Sequence, residues 1–372
     1  MEPKKQQREK EKNKKPKPNP EKSIRKMVAK KKATSQKIEL KQENKPEAKT
    51  KAKKVENIPS KQAIAAFQKR VLSWYQKNKR DFPWRKTTDP YAILVSEIML
   101  QQTQASRVIP YVNRFLEQFP TVQSLAKAKK SQLLQLWSGL GFNARALRLH
   151  QAAQMICTKH KGKIPPNEQA LLALPGIGKY TARAILAFGF NQPVAVIDTN
   201  IRRVLLATFK LPETISHKNL EHIALACIPK GQSRLWHNAL MDYGALHITA
   251  KKTGIKSISK QSVFKDSPRY VRGQILKLLL GKRTEKEEKE TEGKKGKKTR
   301  QASQKRGILK NKKESQEGKK IFLDQRNNQK KKKAISIKTI SLIFHRNDLY
   351  QILASMEKDG LIVIKKQRIE LP

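Results

Sequence analysis

Residues 171–205 constrain the fold more than any other part of this chain. They contain a short turn at 174–178 (LPGIG) between two runs of helical apolar periodicity, and then an extended apolar segment at 194–197. Its two glycines permit backbone conformations closed to other residues, and amide hydrogens at the start of the second helix point outward. The turn is therefore either a plain connection between two helices or a site that binds an anion such as phosphate.

A carboxyl group lies in the middle of a second constraining stretch. Residues 91–102 (YAILVSEIMLQQ) predict a strongly apolar helix with Glu97 at its centre. Its neighbours one turn away include Ile93, Leu94 and Leu100, so burial should disfavour the charged carboxylate and raise its pKa, as a general acid near neutrality requires. The alternative is a structural carboxylate held by a backbone or arginine partner.

Asp198 ends the extended segment and precedes a predicted helix at 199–205. Either Asp198 or Thr199 is then the N-cap, and a plain cap is one interpretation. Amide hydrogens and a helix N-terminus also hold a carboxylate in its ionised form. One acid pushed towards its neutral form and one held charged would separate a proton donor from a charge stabiliser.

Positive charge dominates the composition, with a formal net charge of +52. Residues 1–60 and 282–333 each carry a net +13 and few aromatics, so we predict that both are disordered Lys-rich segments. They serve either as solubilising tails or as non-specific contacts to nucleic acid. Residues 61–281 carry a further +24, so the folded part is basic too.

The remaining composition favours a cytoplasmic, intracellular protein that is not secreted. The two cysteines, Cys157 and Cys227, lie in apolar helical contexts, which excludes a disulfide framework. The sequence shows no signal peptide and no apolar run long enough to span a bilayer, so no membrane partner is expected.

Helical periodicity predicts a mainly α fold. The predicted helices are 61–77, 91–102, 107–118, 122–127, 130–137, 144–160, 167–173, 199–205, 218–226, 232–246 and 267–280. A tight glycine turn at 139–143 (GLGFN) presents Phe142, which is either a core residue or a side chain that stacks on bases.

The C-terminal residues have the pattern of a small separate unit. Helices are predicted at 335–344 and 346–358, followed by a hairpin of 361–365 and 368–371. Together with the helix at 267–280 this is the order of a winged helix-turn-helix, and the alternative is a small packing appendage. We therefore predict a winged-helix-like unit over 266–372, interrupted by the Lys-rich insert at 282–333.

Six motifs point to one family. They are FPWR at 82–85, DPYAILVSEIMLQQTQ at 89–104, LWSGLGF at 136–142, ALPGIGKYTARAI at 173–185, VIDTNIRRVL at 196–205 and NALMDYGA at 238–245. On these motifs the chain resembles the helix-hairpin-helix (HhH-GPD) DNA glycosylase superfamily and, within it, the A/G-specific adenine glycosylases of the MutY type. The resemblance covers about residues 61–265 and implies an all-helical, two-lobed domain with its active site between the lobes.

The resemblance also implies roles for single residues. Glu97 matches the acid that protonates adenine, Asp198 the acid that stabilises the cationic sugar, and Asn200 a cleft asparagine near that acid. Tyr180 stands where relatives with lyase activity carry a nucleophilic lysine. The residues that match DNA contacts are the duplex wedge Gln101, Gln102, Thr103, Phe142, and the phosphate-holding hairpin with its neighbour, Leu174, Gly176, Ile177, Gly178 and Lys179.

Two departures from the family separate this chain from most members. Four cysteines that usually ligate an iron-sulfur cluster are replaced by Ile248, Ile255, Ile258 and Phe264, so we predict no cluster and no other cofactor. A Nudix-like C-terminal domain that reads 8-oxoguanine is replaced by the winged-helix-like unit. The usual Tyr-Tyr after the glycine turn is Phe142-Asn143, so one aromatic stacking partner is kept and the next is lost.

Three functions remain open on the sequence alone. The leading hypothesis is a monomeric, nucleoid-associated, monofunctional adenine glycosylase acting on double-stranded DNA with adenine opposite 8-oxoguanine or guanine. A second is a glycosylase for another mismatched base such as T or U, or one with lyase activity through Lys179. A third is a non-catalytic DNA-binding relic of the family, which retention of both Glu97 and Asp198 disfavours.

Removal of residues 1–60 tests the electrostatic interpretation of the basic tail. We expect duplex binding to weaken far more at low salt than at high salt, because salt screens the contacts between lysines and phosphates. Binding titrations at two ionic strengths measure this, and an equal loss at both would contradict it.

Overall fold

The computed structural model describes residues 58–256, 263–281 and 334–372. Most of the predicted basic tail, the whole predicted insert at 282–333 and Ile258 lie outside these residues. The chain divides into two compact units, which are described separately: the first contains the described residues up to 281, and the second contains residues 334–370. No helix in the described ranges is long and apolar enough to cross a membrane.

The first unit is built from α-helices joined by short turns. In chain order they are α1 (Lys61–Asn78), α2 (Pro90–Leu100), α3 (Ala105–Gln118), α4 (Val122–Ala126), α5 (Lys130–Trp137), α6 (Ala144–Lys159), α7 (Glu168–Leu172), α8 (Lys179–Phe190), α9 (Thr199–Phe209), α10 (His217–Ala226), α11 (Ser233–Asp242), α12 (Ala250–Thr253) and α13 (Pro268–Leu279). A 3₁₀ turn at Pro83–Arg85 precedes α2, and a π-helical turn at Tyr243–His247 follows α11.

Helix α2 is the central element of one lobe. Asp89 caps it by accepting hydrogen bonds from the backbone N–H groups of Tyr91 and Ala92, and Pro90 fixes its first turn. Every residue from Tyr91 to Met99 is buried, because α3, α6 and α8 pack around it. An amphipathic pattern would leave one face in water, so the near-continuous apolar run explains this central position.

The second lobe packs around the aromatic core of α1. Phe67 contacts Phe209 and Trp236 edge to face, with ring centroids 5.2 and 5.3 Å apart. Helices α9, α10 and α11 supply most of the remaining core, and α11 also packs against α8 of the first lobe. The two lobes therefore share one continuous helical framework, and the mainly α, two-lobed fold predicted from the sequence is confirmed.

Several predicted element boundaries are wrong. Helix α2 ends at Leu100 rather than residue 102, because Gln101 is extended and Gln102 has a left-handed φ of 55°. The α-helix predicted over 232–246 stops at Asp242 and continues as the π-helical turn. In the C-terminal unit, the first two residues of the helix predicted at 335–344 belong instead to a strand.

The second unit contains two helices and a three-stranded antiparallel sheet. Its elements are β1 (Ala334–Ser336), α14 (Ile337–Phe344), α15 (Leu349–Lys358), β2 (Val363–Lys365) and β3 (Arg368–Glu370). The strand order is β1-β3-β2, with Ile369 of β3 opposite both Ile335 and Ile364. This is the strand and helix order of a winged helix. Helix α13, which we predicted to open this unit, is grouped with the first unit, and the predicted domain boundaries stay predictions.

A buried histidine joins the two lobes. His237 on α11 accepts a hydrogen bond at Nε2 from the backbone N–H of Val196 (3.2 Å), and its Nδ1 lies 2.7 Å from the carbonyl oxygen of Ser233. These partners require the neutral ring with its proton on Nδ1. Burial lowers the pKa of His237 to about 4.

The free energy of unfolding should therefore fall at acid pH. The unfolded chain binds a proton at His237 near its ordinary pKa of 6.5, whereas the folded chain resists it down to about 4. Stability is lost as pH falls through this window, by an amount of about 3 kcal/mol for this group. In urea titrations between pH 7 and 4, His237→Gln, which can still accept from Val196, should show a shallower loss than wild type. Equal slopes would contradict the assignment.

Candidate active site

A cavity of about 1070 Å³ opens in the first unit. It is lined by the C-terminal half of α2 and the loop after it, the start of α8, the start of α9 and parts of α11. Seven of the residues predicted to be functional meet there: Glu97, Gln101, Gln102, Thr103, Tyr180, Asp198 and Asn200. Residues separated by about a hundred positions in the sequence are thus brought to one surface.

Glu97 is a buried acid on the cavity wall. Only 7% of the residue is exposed, and within the described chain no group donates a hydrogen bond to its carboxyl. Burial, followed by the nearby carboxyl of Asp198, raises the pKa of Glu97 to about 8. A carboxylic acid with this pKa is largely protonated at neutral pH and can donate its proton.

Asp198 has the opposite environment, since donors surround it. Its Oδ1 accepts from the backbone N–H of Ile201 (2.6 Å) as the N-cap of α9, and its Oδ2 accepts from Asn200 Nδ2 (3.0 Å). Asn200 is oriented in turn by Arg203, whose Nη1 donates to Asn200 Oδ1 (3.2 Å) and to the carbonyl of Gly244 (3.0 Å). The cap and the charged carboxylate predicted for Asp198 are therefore compatible, because one geometry provides both.

The pKa of Asp198 differs from our expectation in direction. Burial raises it above the usual value, and this outweighs the hydrogen bonds from Ile201 and Asn200 and the charge of Arg203, which lower it. The sequence showed the cap but not how much protein surrounds it. The two acids still differ, since only Asp198 has donors that favour its ionised form.

Gly244 explains how α9 and the π-helical turn come so close. A β-carbon at this position would lie 2.7 Å from the carbonyl oxygen of Asn200 and 2.9 Å from its Cβ. Any side chain here would therefore push away the backbone that carries Asn200. The glycine of the 238–245 motif is required by this close approach to the site.

Adjacent residues at the start of α8 face different surroundings. Tyr180 lines the cavity, and burial, then Glu97 and Asp198, raises the pKa of its phenol well above the usual value. Lys179 is not among the cavity-lining residues; its Nζ lies 2.7 Å from Oε1 of Glu221 on α10. The phenol of Tyr180 is therefore protonated. The amine of Lys179 is bound to Glu221 and is not free to act in the cavity.

The hairpin at 174–178 presents an open helix start. Gly176 has a φ of 81°, and a β-carbon there would meet Arg148 at 2.9 Å, so this position requires glycine. Gly178 is the N-cap of α8, no side chain caps it, and a β-carbon there would meet no atom within 4 Å. Leu174 and Ile177 are buried anchors. The first N–H groups of α8 are thus accessible to an anion.

The loop after α2 is held by Arg145, which sequence reasoning missed. Its Nη1 donates to the carbonyls of Ile98 (2.7 Å), Met99 (3.1 Å) and Gln101 (2.5 Å), and its Nη2 donates to Thr103 Oγ1 (3.3 Å). Burial lowers the pKa of this guanidinium to about 10. Arg145 therefore caps the C-terminal end of α2, where carbonyls lack helical partners and the helix dipole is negative.

Phe142 packs against the guanidinium group of Arg145. It has a left-handed φ of 49° at the end of the glycine turn, and its ring centroid is 5.4 Å from the guanidinium carbon of Arg145. It does not line the cavity, and 36% of the residue is exposed. Of the two interpretations of Phe142, the structure therefore does not favour a core residue, and its contact with DNA stays a prediction.

Sequence reasoning also missed a group of aromatic and arginine side chains on the cavity wall, although this group includes residues of the FPWR motif. Phe82 and Trp84 stack at 4.9 Å on the cavity wall, with Arg80 and Arg85 over the Phe82 ring. Both arginines bind fully buried Asp242, with nitrogen-to-oxygen distances from 2.6 to 2.8 Å. Burial raises the pKa of Asp242, but hydrogen bonds from Arg85 and Arg80 bring it below the usual value. A flat ring can stack against such a wall.

The positions that hold cluster ligands in related glycosylases carry no donor atoms. Ile248 and Ile255 pack against the core around α1, and Phe264 is exposed beside Tyr270. The side chains at these three positions therefore do not fit an iron-sulfur cluster, which needs thiolates. No group of His, Cys, Asp and Glu suited to a metal ion occurs in residues 58–256, 263–281 and 334–372.

Comparisons with known proteins agree with this geometry. Residues 95–230 match the family described as "HhH-GPD superfamily base excision DNA repair protein". Similar relatives are the adenine DNA glycosylases of Rattus norvegicus, 34% identical over 57% of this chain and 44% of that protein, and of Mycolicibacterium smegmatis, 39% identical over 49% and 63%. Over these residues the chain is similar to the HhH-GPD superfamily. It spans about half the length of the curated relatives it matches.

A solved structure is also similar. A structure of a thermostable thymine-DNA glycosylase aligns with 52% of this chain and 94% of its own, at 31% identity and a TM-score of 0.48.

Replacement of Arg145 tests its role as the cap of α2. Arg145→Gln should lower the free energy of unfolding by about 2 kcal/mol or more, because buried carbonyls lose their charged donor. Arg145→Lys should lose less, since one donor group remains. Arg148→Gln, an exposed change on the same helix, is the control and should stay within about 0.5 kcal/mol of wild type. Urea titration measures all three, and equal values for Arg145→Gln and Arg148→Gln would disprove the cap.

Proposed function

We propose that this protein is a monofunctional adenine DNA glycosylase, which hydrolyses the N-glycosidic bond of adenine mispaired with 8-oxoguanine or guanine. The observation that carries the proposal is a buried Glu97, with a pKa raised to about 8, in the same cavity as a hydrogen-bonded Asp198. Cleavage of a glycosidic bond needs a proton donor for the leaving base and a stable anion near the cationic sugar.

Each group has a defined step in this reaction. The adenine leaves the duplex and enters the cavity, where the aromatic wall of Phe82 and Trp84 can stack against it. Glu97 donates its proton to a ring nitrogen of the adenine, the bond to the sugar breaks, and Asp198 stabilises the positive charge. Water adds to the sugar carbon, and its proton returns to Glu97.

The start of α8 disfavours a lyase reaction through Lys179. A lyase needs an amine that attacks the sugar carbon, but Lys179 is bound to Glu221 and Tyr180 occupies the cavity. We propose that water is the nucleophile and that the site works without an iron-sulfur cluster. We further propose that the protein acts as a monomer on duplex DNA in the nucleoid.

A panel of duplexes tests the proposal directly. Purified protein is incubated under single-turnover conditions with adenine opposite 8-oxoguanine, G, C or T, and with thymine opposite G, with and without alkali. We expect breaks only after alkali and only for adenine opposite 8-oxoguanine or G. Breaks without alkali would indicate a lyase, loss of thymine another base specificity, and binding without release from any duplex a non-catalytic protein.

Glu97→Gln is the matched control, because it keeps size and removes the acid. Excision should be lost. Stability should be at least that of wild type at pH 8, since an acid with its pKa raised from 4.5 to about 8 destabilises the fold as pH rises through that window. Melting temperatures at pH 5 and 8 measure this. An active or an unfolded variant would contradict the assigned role.

A further inference from the structure

Residues 118–167 contain no aspartate or glutamate over fifty consecutive positions. Six lysines lie in this stretch, and all six are exposed and form two groups. They are Lys127, Lys129 and Lys130 around the start of α5, and Lys159, Lys161 and Lys163 around the end of α6. We name these six residues the lysine patch. Since the stretch holds no carboxylate side chain, the positive charge of the patch has no acidic counterpart close in the sequence.

The fold brings the two groups of lysines together. Helix α4, which ends just before Lys127, packs against α6. Gln123 of α4 donates a hydrogen bond from Nε2 to the carbonyl oxygen of Gly162 (3.4 Å). Gln154 of α6 donates one from Nε2 to the carbonyl oxygen of Ala126 (3.4 Å). These contacts join the two connections that carry the lysines, so tertiary packing builds one basic surface from groups that are far apart in the sequence.

Local stability does not explain the positions of these lysines. Lys129 is the N-cap of α5 and Lys130 is its first residue, where the positive end of the helix dipole disfavours a cation. Lys161 has a left-handed φ of 53°, which is unfavourable for a residue other than glycine. The dipole favours Lys159, which lies in the last turn of α6. Lysines at positions that cost stability, gathered on one surface, indicate a binding role.

The lysine patch is separate from the cavity. None of its six residues lines the cavity. Helix α6 begins after the glycine turn at 139–143, and its 16 residues span about 24 Å before they reach the patch. The patch therefore lies at the opposite end of α6 from Arg145 and the Gln101 loop that Arg145 holds. A ligand on the patch is distinct from a base in the cavity.

The chemistry of the patch fits phosphates better than a protein partner. Protein interfaces have aromatic or apolar anchors at their centres, and lysine is depleted there. Within residues 118–167, all of which the structure describes, the only exposed large hydrophobic side chain is Phe142, at the opposite end of α6. Lysine ammonium groups match phosphates, which a duplex presents at short, regular intervals.

We propose that the lysine patch binds the phosphates of double-stranded DNA as a second DNA contact of the first unit, separate from the cavity. This contact goes beyond the proposed function, because it needs no base in the cavity and no excision. It holds the protein on undamaged DNA, and its strength depends on salt because bound phosphates release their counterions.

Two triple variants of the full chain test the patch. The first combines Lys127→Gln, Lys129→Gln and Lys130→Gln, and the second combines Lys159→Gln, Lys161→Gln and Lys163→Gln. The matched control removes the same charge from exposed positions of α1, with Lys61→Gln, Lys69→Gln and Lys77→Gln. Each protein is titrated with an undamaged duplex at several salt concentrations. Melting temperatures are measured too, as is single-turnover release of adenine at saturating protein.

We expect each patch variant to bind the undamaged duplex about tenfold more weakly, and the slope of log Kd against log salt to fall by about two to three. The control should keep the wild-type slope. The first variant should melt at or above the temperature of wild type, because its lysines oppose the dipole of α5. Wild-type slopes in both patch variants, an equal loss of affinity in the control, or lower melting temperatures in both patch variants would overturn the inference.

The same experiment separates this inference from the proposed function. Release of adenine at saturating protein should be unchanged in the patch variants, since none of their substitutions enters the cavity. If wild type released no adenine but the patch variants still lost affinity for the undamaged duplex, the proposed function would fail and the lysine patch would remain.

Discussion

Complete burial of helix α2 is the constraint on which the site depends. Because every residue from Tyr91 to Met99 is buried, the acid in the middle of the helix and the carbonyls at its end are largely removed from solvent. The acid responds by a raised pKa, which gives Glu97 its proton. The carbonyl oxygens need another hydrogen-bond donor. Arg145, whose side chain carries five N–H donors, reaches three of them through Nη1.

This burial also links Glu97 to the loops outside the cavity. Because Arg145 satisfies the end of α2, it fixes the extended Gln101 and the left-handed Gln102 at the mouth of the cavity. The same guanidinium group lies over the ring of Phe142 and donates a hydrogen bond to the carbonyl oxygen of Gly141 (3.2 Å). The carbonyl groups at the end of α2 need a hydrogen-bond donor, and Arg145 supplies it. Its position in turn fixes the position of both loops.

Local patterns in the sequence predicted the parts of the site that depend on near neighbours. The apolar residues around Glu97 predicted its burial, and the position of Asp198 before a helix predicted its cap. The early end of α2 and its cap by Arg145 could not be predicted, because the carbonyls of α2 and of the loop after it lie more than forty positions from Arg145. The raised pKa of Asp198 also depends on packing between elements, which no local pattern describes.

In the C-terminal unit, too, strands that depend on near neighbours were predicted and a strand that depends on a distant partner was not. The hairpin that ends the chain was predicted from its alternation and its turn. Strand β1 was assigned to a helix, because three residues that begin next to a helix carry too little pattern to separate the two. Only the pairing of Ile335 with Ile369, over thirty positions later, makes these residues a strand.

A single step along α8 decides which chemistry the cavity can perform. Consecutive residues of an α-helix point about 100° apart, and of Lys179 and Tyr180 only Tyr180 lines the cavity. Oε1 of Glu221 on α10 lies 2.7 Å from Lys179 Nζ, 2.9 Å from Arg183 Nη1 and 2.8 Å from His217 Nδ1. These contacts fix the rotation of the start of α8. In this rotation Tyr180 lines the cavity with the two acids, and the amine of Lys179 is held by Glu221.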